Sequence, residues 1–188
     1  MTSATDVARH LLWLASREED GEGVSNLRLQ KLLYYVQGWS LALRGKPAFG
    51  ERIEAWKHGP VVPDVYQQCT RYGYNPIPPL PDDGKTVTDA TERSLIETVW
   101  QEYRCYSAEG LRDLTHTERP WVETRSDLGD DANSRRSIKH ALLLEFFTSQ
   151  IITPGGVDPR TVWAAEEAVD RGETMSAEEA RAILFSDP

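Results

Sequence analysis

Apolar side chains recur at helical spacing along most of the chain. Val7, Leu11 and Leu14 are four and three positions apart, which places them on one face of a helix over residues 6–19. Similar patterns, each preceded by a capping residue or a proline, predict further helices. These helices cover about residues 25–44, 63–73, 89–106, 107–116, 120–124, 135–150, 158–172 and 176–184.

The predicted helix over residues 25–44 differs from the others. It begins after Ser25 and ends at Gly45, and apolar side chains occur on most of its faces rather than along one stripe. A helix of this kind is usually enclosed by the rest of its domain. We therefore expect residues 26–44 to form the central helix around which the others pack.

Strand patterns are few and short. Residues 51–57 alternate polar and apolar side chains, and residues 85–88 form a second candidate strand that could pair with residues 52–56. The four prolines between residues 74 and 88 predict an irregular loop. The fold class is therefore mainly α, a compact multi-helix domain with a small two- or three-stranded β element.

A Pro-Gly-Gly sequence at residues 154–156 divides the chain unequally. It separates a predicted domain, residues 1–152, from an acidic helical C-terminal extension, residues 157–188. Residues 156–188 carry eight acidic and three basic side chains, so they hold −5 of the total charge of −9. The charge of the protein is concentrated in its last sixth.

The acidic character narrows the class of partner. A net charge of −9 and a pI near 5.0 disfavour binding to nucleic acid, whereas a basic protein partner would be attracted. A helix-turn-helix reading of residues 6–44 is weak, because the second helix is too apolar to present a groove-reading face. The sequence shows neither a membrane span nor a secretory signal, and its two cysteines are expected to be buried and reduced, so a cytoplasmic protein is predicted.

Familiar catalytic and metal-binding motifs are missing. The sequence has no GxSxG, HExxH, P-loop or GxGxxG pattern, and its four histidines are isolated from one another. No cofactor and no metal are therefore expected. Two enzyme readings stay open: a nucleophilic Cys69 with His58 or His116, and a small hydrolase or transferase that uses His58, His116 and Glu118.

Two segments combine aromatic residues with turn-forming residues. Residues 55–66 run from a strand end through Gly59-Pro60 into a helix that starts with Pro63, and residues 111–121 join two short helices. Each is either a rigid structural corner or an aromatic platform for a partner. Six tryptophans exceed what one small core needs, so surface anchors are expected among Trp13, Trp39, Trp100 and Trp163.

Three ordered motifs resemble those of one family, the Panacea domain, also called the GepA or SocA-like domain. Residues 29–39 read LQKLLYYVQGW, and residues 53–66 and 111–121 resemble the family's second and third motifs. The resemblance covers about residues 6–125. It marks a set of residues as structural, with a role in partner binding left open. They are Leu29, Gln30, Lys31, Leu32, Tyr34, Tyr35, Trp39, Trp56, His58, Gly59, Pro60, Val62, Tyr66, Leu114, Thr115, His116, Pro120 and Trp121.

The resemblance implies an antitoxin of a two-gene toxin–antitoxin system, often carried on a prophage or another mobile element. Such a protein is not an enzyme and neutralises, by direct contact, a toxin encoded by a neighbouring gene. The alternative within the family is a proteolytic adaptor that delivers the toxin to a ClpXP-type protease. A homodimer and a DNA-binding autorepressor stay open.

Overall fold

The structure is a computed structural model, and it describes residues 2–18, 23–79, 86–129 and 131–151. Within these ranges the chain forms seven α-helices, one 3₁₀ turn and a two-stranded antiparallel sheet, which confirms the predicted fold class. In chain order the elements are α1 (Ala4–Ala15), α2 (Asn26–Arg44), β1 (Glu54–Trp56), β2 (Gly59–Val61), α3 (Pro63–Cys69), the 3₁₀ turn (Thr70–Tyr72), α4 (Ala90–Tyr103), α5 (Ala108–Thr117), α6 (Arg119–Thr124) and α7 (His140–Ser149).

Helix α2 is the centre of the domain, as its all-round apolar pattern predicted. Sixteen of its 19 residues are buried, and it contacts α1, α3, α4, α5, α7 and β2. The Ser25 side chain accepts a hydrogen bond from the Arg28 amide at its start, and Gly45 adopts a left-handed conformation at its end. Both predicted helix ends are therefore confirmed.

Helix α7 crosses α2 at a glycine. A Cβ atom on Gly38 would lie only 2.1–2.5 Å from three atoms of the Phe147 ring, so glycine is what lets this ring approach the α2 backbone. The Phe147 ring also lies edge-on to Trp39, with ring centroids 5.2 Å apart. Gly38 of α2 thus provides the space in which α7 packs.

The β element is a hairpin. β1 and β2 pair with Ala55 opposite Pro60, and a segment before α7 lies along the other side of β1, where the Ala55 amide donates to Arg136 O at 2.8 Å. Two predictions are wrong here. Residues 136–138 run alongside β1 rather than begin a helix. Residues 86–88 lie outside the two strands, because Glu54 already has Val61 on one side and the 136–138 segment on the other.

Other expectations have mixed outcomes. Cys69 is buried as expected, but Cys105 is exposed. The linker and the acidic extension, residues 157–188, lie outside the described residues, so the division at residues 153–156 stays a prediction. Among the helices that the structure describes, none has the length and apolar composition needed to cross a bilayer.

Candidate functional site

The turn of the hairpin is built around Gly59. Its φ of +96° is one that side-chain-bearing residues rarely adopt, and a Cβ atom here would lie 2.6 Å from Lys31 Nζ. Pro60 follows it and is buried. The close approach of the hairpin to α2 therefore depends on glycine at this position.

Gln30 and Lys31 take the place of a third strand along β2. Lys31 Nζ donates to Pro60 O at 3.0 Å, and Gln30 Oε1 accepts from the Val62 amide at 2.9 Å. Burial, helped by the positive charge of Arg112, lowers the pKa of Lys31 to about 7. These two polar residues of a buried helix satisfy backbone groups that would otherwise lack partners.

Two tryptophans fix the outer side of the hairpin. Trp121 Nε1 donates to Trp56 O at 2.9 Å, and the Trp56 ring meets the Tyr66 ring edge-on with centroids 4.9 Å apart. The His116 ring stacks on Trp121, with centroids 4.1 Å apart. Burial, together with nearby Lys31 and Arg112, lowers the pKa of His116. The two segments that combine aromatic and turn-forming residues therefore contact each other at the hairpin.

A buried cluster of aromatic residues surrounds Glu118, one helical turn further along α2 from Lys31. Tyr35 Oη donates to Glu118 Oε1 at 3.0 Å, and the Tyr35 ring stacks on Tyr103 with centroids 3.9 Å apart. Burial raises the pKa of Glu118 to about 7 and that of Tyr34 well above its usual range. The Tyr34 hydroxyl is near enough to influence this carboxyl, although the two do not form a hydrogen bond of normal geometry. Trp39 Nε1 donates to the Tyr103 hydroxyl at 3.2 Å.

The remaining motif residues are mostly internal as well. Thr115 is buried, and its hydroxyl donates to Arg112 O at 2.8 Å. Leu114 is half-buried against the core. The others, all buried, are Leu29, Leu32, Val62 and Pro120. Most of the residues picked out by the resemblance are therefore buried or half-buried.

Four of the motif residues line one cleft of about 730 Å³. Its walls come from the start of α2, the hairpin turn, α3, the segment after the 3₁₀ turn, α5 and the segment before α7. Of the motif residues, those that line it are Gln30, Trp56, His58 and Tyr66. His58 is exposed, and the two aromatic side chains are half-buried. The cleft is the candidate functional site.

Several lining residues were not predicted. Lys57 and Arg112 lie within the two quoted segments, so their positions were available, but their convergence depends on packing of α5 against β2. Tyr74 belongs to a loop without periodic pattern, and Arg135 lies before α7 although the sequence predicted a helix from about residue 135, so no local signal ties either residue to the cleft. Among the expected tryptophan anchors, Trp100 is buried, Trp13 and Trp39 are half-buried, and Trp163 lies outside the described residues.

The residues of the proposed catalytic set have other neighbours in the described part of the chain. No hydrogen bond joins His58, His116 and Glu118 to one another among the described residues; Glu118 instead binds Tyr35, and His116 lies on Trp121. Burial raises the pKa of Cys69, which disfavours a reactive thiolate. In the part of the chain that the structure describes, no three His, Cys, Asp or Glu residues are grouped to hold a metal ion.

The fold defines the class of protein. It is a helical domain with a preformed cleft between its central helix and a hairpin that side chains hold in place. The chain belongs to the antitoxin SocA-like, Panacea domain family, whose model matches residues 29–122, half of the chain. The antitoxin SocA of Caulobacter vibrioides is 52% identical over 44 residues, a match that covers 23% of this chain and 23% of that protein. No solved structure matches the chain.

Proposed function

We propose that this protein is an antitoxin that neutralises its toxin by direct protein–protein binding. The observation that carries the proposal is membership of the antitoxin SocA-like family across residues 29–122. The similarity to an antitoxin from Caulobacter vibrioides supports the same role. The toxin is the product of a neighbouring gene, and the interaction takes place in the cytoplasm.

The physical basis of neutralisation is an interface rather than a chemical step. A standard interface buries about 1,600 Å² in total and reaches nanomolar affinity when a few aromatic or arginine anchors lie at its centre. The protein offers a preformed cleft with such side chains. Its charge of −9 further favours encounter with a basic toxin.

Co-expression tests the proposal. The full chain carries an affinity tag and is produced with the product of the adjacent gene, which by itself should arrest growth. We expect growth to be restored and the two proteins to purify together as a stable complex. Restored growth without a complex, with toxin lost only in cells that contain an active Clp protease, would contradict direct neutralisation and indicate a proteolytic adaptor.

Histidine variants separate binding from catalysis. His58→Gln and His116→Gln remove the groups that an acid–base mechanism would require while keeping polar side chains. Both variants should still neutralise the toxin, provided that circular dichroism shows them to be folded. A folded variant that binds the toxin normally but no longer protects cells would favour an enzymatic role.

A further inference from the structure

Two buried polar side chains of α2, those of Lys31 and Gln37, are engaged inside the domain and are not free for a partner. Lys31 binds the hairpin backbone at Pro60, and Gln37 binds the Ala48 and Phe49 backbone at 2.9 Å and 3.2 Å. Some polar side chains of the neighbouring segments that do reach solvent, among them Lys57 and Arg112, line the cleft instead. The cleft is therefore one place where these segments expose polar groups.

The cleft has an aromatic wall and an exposed aromatic rim. Trp56 and Tyr66 form the wall, and Tyr74 stands at the rim with 98% of its surface exposed. A tyrosine this exposed contributes no packing energy to the domain. Such side chains are typical anchors of interfaces, because they bury a large area with few rotatable bonds.

The walls are held in place before any partner arrives. The Trp56 carbonyl accepts from Trp121 at 2.9 Å, and the Tyr66 carbonyl accepts from Asn26 at 3.2 Å. Gly59 and Lys31 lock the turn between them. A site that is already ordered loses little conformational entropy on binding, so more of the contact energy appears as affinity.

The charge of the lining is opposite to that of the whole chain. Lys57, Arg112 and Arg135 outnumber the one acidic lining residue, Glu109. Lys57 and Arg112 also pair with Asp131 and Asp113, whose side chains are 93% and 66% exposed, so these pairs are screened by solvent. A carboxylate that enters the cleft is more shielded from water and competes well for the same cations.

We infer that this cleft is the docking site of the toxin and that it receives a short extended segment of the toxin that carries a carboxylate. The carboxylate binds Arg112 and Arg135, and an apolar or aromatic side chain next to it packs on Trp56 and Tyr66. The volume of about 730 Å³ lies in the range of clefts that enclose a ligand. The inference rests on the proposed function, since it requires that a toxin binds directly.

The test measures the dissociation constant of the complex with full-length variants. The cleft variants are Arg112→Glu and Tyr74→Ala. Their matched controls are Arg119→Glu and Leu144→Ala, on α6 and α7 outside the cleft; the Arg112 and Arg119 side chains are similarly exposed, 36% and 42%, and both are ion-paired. We expect each cleft variant to raise the dissociation constant at least about tenfold and each control to change it less than about twofold.

The outcomes distinguish the two proposals. If the wild-type protein does not bind the toxin, the proposal of direct neutralisation fails. If the wild-type protein binds and the cleft variants bind equally well, only the proposed docking site is wrong. Unfolding curves identify a variant that fails to fold, and Arg112→Gln then replaces Arg112→Glu. A toxin Asp or Glu changed to Lys that restores binding to Arg112→Glu would support the carboxylate contact.

Carbodiimide coupling, which joins adjacent amines and carboxylates, gives an independent readout on the same complex. Lys57 should couple to a toxin carboxylate, and its coupling to Asp131, 2.6 Å away, serves as an internal positive control. The comparison amines are Lys46 and Lys139, which do not line the cleft. If Lys57 couples instead to carboxylates within residues 158–187 of its own chain, the cleft holds that acidic segment and the toxin-docking inference is overturned.

Discussion

Single residues of the hairpin turn are fixed by the side chains that approach them. Gly59 combines a positive φ, which favours glycine, with direct contact to a buried lysine, whereas Gly45 also has a positive φ but no atom within 4 Å of a Cβ position. The two glycines therefore separate the cost of conformation from the cost of crowding. This difference could not be predicted from the sequence, because it depends on where Lys31 lies.

Gly59→Ala should destabilise the protein more than Gly45→Ala does. Gly45→Ala carries only the left-handed backbone cost of about 1–2 kcal/mol. Gly59→Ala adds a contact of 2.6 Å to Lys31 Nζ and one of 3.0 Å to Thr115 Oγ1, so its total should reach about 3 kcal/mol or more. Urea unfolding of both variants makes the comparison. Equal losses of unfolding free energy would show that the turn is not packed against Lys31.

The buried Glu118 makes stability depend on pH. Its pKa rises from 4.5 to about 7 on folding, so the folded protein binds a proton that the unfolded chain releases between these values. The stabilisation is therefore complete below pH 4.5 and is lost as pH rises towards 7. Lys31 has the opposite effect: its pKa falls from 10.5 to about 7, so stability rises as pH increases from 7 to 10.5.

Glu118→Gln should remove the decrease in unfolding free energy that occurs as pH rises from 4.5 to 7. Glutamine keeps an oxygen that can accept from Tyr35 but has no titratable proton. We expect the unfolding free energy of the unchanged protein, minus that of the variant, to fall by roughly 1–3 kcal/mol between pH 4.5 and 7. Urea titrations at four pH values provide the measurement. A difference that does not vary with pH would place Glu118 in a solvated site.

At the level of elements, the arrangement around α2 follows from polar and small residues on an apolar helix. The central position of α2 could be predicted, since apolar residues cover most of its surface. The pairing of the hairpin could not, because strands of three residues carry little register information. The role of Gln30 as a substitute for a neighbouring strand is equally invisible in the sequence, because it depends on a backbone 32 residues further along the chain.

Gly38→Ala should disturb the contact between α2 and α7. The added methyl group would overlap the Phe147 ring, and crowding of this kind costs about 1–3 kcal/mol. Phe147→Leu makes room, so the double variant should lose at least about 1 kcal/mol less than the sum of the single losses. Thermal and urea unfolding of all four proteins complete the cycle. Strictly additive losses would mean that α7 does not pack on Gly38.

For the molecule as a whole, charge is divided between two regions. Residues 156–188 carry −5, whereas the cleft is lined by more basic than acidic side chains. We propose that the acidic extension, residues 157–188, attracts a basic toxin at long range while the cleft makes the close contacts. Part of this division could be predicted from the sequence, since the acidic run is contiguous. The cleft forms only when the six elements and segments that line it are brought together.

Neutralising the extension should slow association. Replacing Glu166, Glu167, Glu178 and Glu179 with glutamine removes four of the eight negative charges in this segment. We expect a lower association rate, a weaker dependence of that rate on salt, and a dissociation rate nearly unchanged. Stopped-flow mixing with the toxin at two salt concentrations measures these rates. An unchanged association rate would show that the extension does not face the approaching toxin.

The most direct test of neutralisation by binding is a titration of purified toxin activity with the purified protein. Binding predicts that activity falls linearly with added protein and is abolished at equal molar amounts, whether the complex is one-to-one or two-to-two. It also predicts that separating the proteins under denaturing conditions, followed by refolding of the toxin, restores activity. Loss of activity at far less than one equivalent, or a toxin that stays inactive because it carries a covalent change, would contradict it.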